Sequence, residues 1–176
     1  MLHVRRLASG FQIRKVGGST DLYAGQLVDR IGVALGLSFP AGRELEQLAR
    51  ESQQLLSVPA SVQGTHFSFS GPETALKRLL ETGRHRVADI ARAVENVIAK
   101  TVEKSLLNAF KAGFPKHVLL VGGVAANNYI RERLRRRLEH RAVGARISFA
   151  RVHFSGDNAF GVASIGWDQL KKELDR

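Results

Sequence analysis

The chain has 176 residues, 44% of them apolar, no cysteine, and a formal net charge of +11 from 27 Lys and Arg against 16 Asp and Glu. This length suits one domain, 1–176, with enough apolar residues for a real core. The missing cysteines exclude disulfides, thiolate metal sites and cysteine nucleophiles, and no apolar run approaches the roughly eighteen residues that a membrane span needs.

The basic start Met1 to Arg6 has no apolar segment behind it, which argues against a signal peptide, so a cytoplasmic protein is expected. A pI near 10.8 is common among nucleic-acid binders.

In chain order, residues 2–7 and 10–16 read as two strands of a hairpin turning at Ser9-Gly10. A helix is predicted from Thr20 to Leu35, capped by Thr20 or Asp21 and stopped at Gly36 with Pro40 beyond. A second runs from Glu44 to Leu55. Phe67 and Phe69 on one face favour a strand over residues 65–70, and Gly71-Pro72-Glu73 opens a helix that Gly83 closes.

Apolar residues then keep helical spacing from Val87 to Phe110, about six turns. A strand over 116–121, a helix with Ile130, Leu134 and Leu138 as its buried stripe, a strand over 146–149 and a helix from about Asp157 to Leu174 complete the order. The pattern is α/β with a short mixed sheet, without repeats or a clear linker. The run from Arg131 to Arg141 reads as a solvated basic face or as a contact for RNA phosphates.

The most informative stretch is His117-Val-Leu-Leu-Val-Gly122-Gly123-Val-Ala-Ala-Asn127-Asn128. It reads as a buried strand entering a glycine turn that opens a helix, with Asn127 able to cap free N–H groups. Two glycines admit a ligand close to the backbone, although the same turn occurs as a purely structural device.

Three further motifs are Ala24-Gly-Gln-Leu-Val-Asp29-Arg30 with Gly36-Leu-Ser-Phe39-Pro-Ala41-Gly42, then Phe67-Ser-Phe-Ser-Gly71, then Phe154-Ser-Gly-Asp157-Asn-Ala159. In this order and spacing, from about Phe11 to Trp167, they resemble the C-terminal half of the TsaD family, once called O-sialoglycoprotein endopeptidases or glycoproteases. Its members act in the synthesis of threonylcarbamoyladenosine in tRNA.

The resemblance implies an actin-like (Hsp70-like) ATPase domain with a ribonuclease H-like mixed sheet and helices. The chain would be the second of two related domains with nucleotide between them. The first domain, which carries a His-x-x-x-His metal pair and a Gly-Gly-His-Thr phosphate loop, is expected to be absent, with Leu2 to Leu7 matching the strand beyond that loop. No two histidines here lie four residues apart.

By the same resemblance Asp29 stands where an aspartate meets the nucleotide or adenylate ribose, a task suited to a carboxylate that accepts from two vicinal hydroxyls. An acid on a helix surface or at a cap is its other reading. Gly42 matches the second glycine of Tyr-Pro-Gly-Gly-Pro, with Phe39, Ala41 and Arg43 as departures.

Gly122, Gly123 and Asn127 match the adenosine-side segment Gly-Gly-Val-x-Ala-Asn. Asp157 matches a third metal ligand, for iron or zinc held only together with the missing domain, and an N-cap role for it stays open. Pro72, Glu73, Leu22, Tyr23 and Gln26 also depart from the family pattern, as in a divergent branch or paralogue.

Catalytic residues are not assigned. Protease chemistry has no support: neither a Gly-x-Ser-x-Gly elbow nor a His-Glu-x-x-His helix is present.

Three functions remain. The chain is half of a threonylcarbamoyltransferase using ATP or adenylate and a divalent metal on tRNA, or a nucleotide-binding paralogue serving as partner or scaffold, or an RNA-binding module. The first domain's absence would expose apolar surface, so a homo-oligomer or partner proteins of the TsaD system are expected, with contacts at the hairpin or the long helix.

Overall fold

The computed structural model describes residues 1–8, 10–155 and 159–174. Strands β1 (Leu2–Leu7) and β2 (Gly10–Lys15) form an antiparallel hairpin with Leu2 opposite Lys15 and Val4 opposite Ile13. β3 (Gly18–Ser19) and β4 (Ser61–Gln63) flank β5 (His66–Ser68), parallel and antiparallel to it respectively. β6 (His117–Leu120) runs parallel to β7 (Arg146–Phe149). The fold is mixed α/β, and the described strands divide among three small sheets, one of them mixed.

The helices are α1 (Ala24–Ala34), α2 (Gly42–Ala49), α3 (Ser70–Glu81), α4 (Val87–Lys111), α5 (Asn128–Leu138) and α6 (Ala159–Leu174). α4 is the centre. At 1.5 Å per residue its 25 residues reach about 37 Å. Helices α1, α2, α3 and α5 all pack on it. Ile90, Val94, Val97 and Ile98 are sealed from solvent, each stabilising by roughly 1.5–3 kcal/mol relative to exposure.

Periodicity predicts the extent of α4 and understates its burial. Most of the helix is covered, with Val87, Lys104 and Lys111 left exposed, so polar Glu95, Asn96, Thr101, Glu103 and Ser105 are buried with the apolar stripe. Little of α4 remains for the interface expected there, since its own chain occupies most of its surface. The hairpin differs: Leu2, Val4, Phe11 and Ile13 stay exposed.

Two boundaries move for long-range reasons. α1 starts at Ala24, not Thr20, because Asp21 accepts instead from Ser68 Oγ (2.5 Å), Ser70 Oγ (2.6 Å) and the Phe69 N–H (2.9 Å). Gln26 Oε1 takes the Tyr23 N–H at 2.9 Å in its place. α2 starts at Gly42 and stops at Ala49, well before Leu55, because buried Asp89 of α4 accepts the Gln53 and Gln54 N–H groups and the Ser52 hydroxyl at 2.8–2.9 Å.

The arginines of α5 are not simply solvated. Arg131 donates to the carbonyls of Ala125 (2.6 Å) and Ala150 (2.8 Å) and lies over the Phe149 ring. Arg133 and Arg137 pair with buried Glu103 at 3.0 and 2.9 Å. Arg135 also lies over that ring, 5.1 Å from the Phe149 centroid, so a solvated basic face is the reading for Arg136 and Arg141. The others neutralise and support the interior.

Candidate site at the glycine turn between β6 and α5

β6 leads through Val121 into Gly122, whose φ of +100° belongs to the region that favours glycine. Gly123–Ala126 make one 3₁₀ turn, and Asn127 caps α5 by accepting the Ile130 N–H on Oδ1 at 3.0 Å. A Cβ at Gly122 or Gly123 would meet nothing within 4 Å, so the turn faces open space.

α1 brings Asp29 to this region. A Cβ at Gly25, at the start of α1, would lie 4.0 Å from Val124 Cγ2 in the 3₁₀ turn, and Asp29 follows one helical turn later. Asp29 is half-buried, and its Oδ1 accepts the Ala41 N–H at 2.9 Å. Gly42 is the next residue and opens α2. Ala41 is fully buried, and its methyl carbon lies 2.3 Å from the place a Cβ on Gly32 would take, so Gly32 must be glycine for α1 to lie against this bend.

α2 and α4 complete the surroundings. Glu46 Oε1 accepts both the N–H of Asn128 (3.1 Å) and its Nδ2 (2.9 Å). Asn127 Nδ2 donates to Glu95 Oε1 at 2.6 Å, and Arg92 donates to Glu95 Oε2 at the same distance. Burial pushes the Glu95 carboxyl up to about 7, against the opposing pull of Asn127 and Arg92. Arg92 lies 4.2 Å from the Tyr129 ring centroid and donates to the Ala49 carbonyl.

A cavity of about 340 Å³ opens here, lined by Glu46, Arg50, Arg92, Glu95, Asn128, Tyr129 and Glu132.

These contacts close a ring: glycine turn to Gly25, Asp29 to the Ala41-Gly42 bend, Glu46 to Asn128, and back to the turn. Asp29, Gly42, Gly122, Gly123 and Asn127 all lie on it. Asp157 lies outside the described residues. Among the described residues no three His, Cys, Asp or Glu side chains are grouped to hold a metal ion.

Sequence reasoning missed Glu46, Arg92 and Glu95. For Arg92 and Glu95 the available signal was an arginine and an acid set among the apolar residues Ile90, Ala91, Ala93, Val94, Val97 and Ile98.

Residues 5–164 match the TsaD family, described as tRNA N6-adenosine threonylcarbamoyltransferase. A protein of that name from Persephonella marina is 30% identical over 173 residues, covering 94% of this chain and 50% of that protein. Its namesake from Thermococcus gammatolerans is 35% identical over 138 residues, 76% of this chain and 41% of the relative. That of Archaeoglobus fulgidus is 34% identical over 157 residues, 89% and 48% respectively.

The chain thus spans about half the length of the curated relatives it matches. The crystal structure of T. kodakarensis HypF shares the fold, with a TM-score of 0.65 at 24% identity over 85% of this chain and 20% of that one. No described helix is long and apolar enough to cross a membrane.

Proposed function

The chain belongs to the TsaD family, and from that premise we propose that it supplies the adenosine side of a nucleotide site used in threonylcarbamoyl transfer to tRNA. The observation that carries this reading is the ring of contacts joining Asp29, the bend at Gly42 and the Gly122–Asn127 turn.

Each member can do part of the work. The open backbone at Gly122 and Gly123 admits a ligand that a side chain would block. Asp29 commits one oxygen to Ala41, leaving the other to accept from a ribose hydroxyl. Asn127 keeps one N–H and one lone pair beyond its two contacts, a donor and acceptor pair that suits the N6/N7 edge of adenine.

ATP or the adenylate is the ligand that fits. The described residues do not by themselves form a metal site, and no step here is assigned to a metal. The actin-like, ribonuclease H-like character of the complete domain belongs to the same proposal. So do tRNA and partner proteins of the TsaD system, and a cytoplasmic setting.

The test is calorimetric titration of the chain with ATP, ADP and adenosine. Binding that is weakened at least tenfold by Asp29→Asn and by Asn127→Ala is expected. Binding that ignores both substitutions overturns the assignment.

One observation favours an added RNA-binding role. Among the described residues none of Arg5, Arg6, Arg14 and Lys15 on the hairpin forms a salt bridge; Arg14 lies 5.7 Å from the Phe114 ring centroid, and Arg5, Arg6 and Lys15 are left for phosphates.

A further inference from the structure

We infer that Glu95 is a positioning residue that locks the Asn127 side-chain amide in one of its two flipped orientations and thereby sets the base preference of the site. The inference rests on the nucleotide reading for its consequence, and on geometry alone for the lock.

An ionised carboxylate can only accept hydrogen bonds, and a backbone N–H can only donate. Asn127 lies between one of each: Glu95 Oε1 faces Nδ2 at 2.6 Å, and the Ile130 N–H faces Oδ1 at 3.0 Å. Turning the amide over would set oxygen against carboxylate and NH₂ against N–H, so both neighbours oppose the flip. The unused donor and acceptor of Asn127 then hold a fixed order. Adenine presents an N6–H donor beside the N7 acceptor and matches that pair, whereas guanine presents two acceptors, O6 and N7, at the same edge.

The lock is itself held from behind. Arg92 grips Glu95 Oε2 at 2.6 Å, is anchored on the Ala49 carbonyl at 2.9 Å, and is covered by the Tyr129 ring. Glu95 is 1% exposed, held between Arg92 and Asn127. The charged groups facing it are Arg92 on its own helix, Glu46 and Arg50 from α2, and Glu132 from α5 across the shared cavity. Burial in this setting raises the Glu95 carboxyl to about 7, so its protonation falls within ordinary experimental pH. A protonated Glu95 can donate and no longer forbids the flip.

The substitution Glu95→Gln keeps size and shape but reverses the lock. Arg92 claims the new amide oxygen, which turns the new NH₂ toward Asn127 and favours the flipped amide.

The experiment has two arms on the same chain. In the first, the side-chain NH₂ resonances of Asn127, assigned by their loss in Asn127→Asp, are followed from pH 5.5 to 8.5 without nucleotide. They are expected to titrate with a midpoint near that of Glu95 in the wild type and to stay flat in Glu95→Gln. In the second, ATP and GTP affinities are compared over the same range. The adenine preference of the wild type is expected to fall toward acid pH, and that of the variant to be lower by roughly tenfold, within what one bidentate amide and base pair supplies.

Asn127 resonances indifferent to pH, or an unchanged ATP to GTP ratio in Glu95→Gln, overturn the inference. Titrating Asn127 resonances with no nucleotide binding at any pH strike the nucleotide reading instead and leave the lock standing.

Discussion

Asp29 Oδ1 accepts the Ala41 N–H at 2.9 Å, so a side chain of α1 fixes the bend from which α2 departs. The carboxylate thereby holds a loop and, in the proposed site, still presents an oxygen to a ligand. These two tasks separate by substitution. Asp29→Ala leaves a buried N–H unpaired and is expected to destabilise by about 1–3 kcal/mol in urea titration. Asp29→Asn retains an acceptor for Ala41 and is expected to unfold close to the wild-type midpoint while binding ATP more weakly, because its remaining group donates rather than accepts. A stable Asp29→Asn with unaltered ATP affinity would separate Asp29 from the ligand.

Glu95 makes a distinct prediction for stability. Its carboxyl rises from 4.5 to about 7 on folding, so the native state binds the extra proton and is favoured below pH 4.5. That contribution is lost as pH rises through about 7. The stability of wild type relative to Glu95→Gln is therefore expected to decrease by on the order of 2–3 kcal/mol between pH 4.5 and 7.5. Paired urea curves at several pH values measure it, and a flat difference contradicts the burial argument.

Asp21 has the opposite sign. Against the upward push of partial burial, the hydroxyls of Ser68 and Ser70 and the N–H groups of Phe69 and Leu22 hold its carboxyl well below the usual range. Its contribution is present above the unfolded value of 3.8 and fades as pH falls beneath it. Asp21→Asn is expected to be less stable than wild type at pH 6, with the gap narrowing toward pH 2. Circular dichroism melts across that range provide the check.

The two sets of basic residues are expected to behave differently. Replacing Arg5, Arg6 and Lys15 by alanine should leave the unfolding midpoint unchanged while weakening tRNA binding and flattening its salt dependence, by about one slope unit per lost phosphate contact. Arg133→Ala, which removes one partner of buried Glu103, should lower stability by about 1–3 kcal/mol. Equal losses of tRNA affinity from both sets would contradict this division.

Elements with strong local signals were legible in the sequence. The 3.6-residue spacing of Val87 to Phe110 gives α4 to within a residue, and Ile130, Leu134 and Leu138 give the buried stripe of α5. The glycine turn and the Asn127 cap were readable because their chemistry is local. The start of α1 and end of α2 were not, since Asp21 and Asp89 bond to residues 47–49 and 35–37 positions away.

Glu95 and Arg92 were missed for a related reason. Spacing marks which positions face inward and carries nothing about a buried charge whose partner arrives from another helix. The two- and three-residue strands β3 and β4 are too short to leave any periodicity.

Gly32 and Ala41 share a single methyl group between them, and the 2.3 Å separation leaves no room for a second. The pair works like a seat with one occupant. Ala41 takes it here, and Gly32 must leave it empty. A larger side chain at 32 becomes accessible only after 41 has first shrunk, so this bend can change through paired replacements in one order and hardly at all through single ones. The distance from Asp29 to the loop is thereby insulated from the ordinary drift of point mutation, whatever happens on the exposed hairpin.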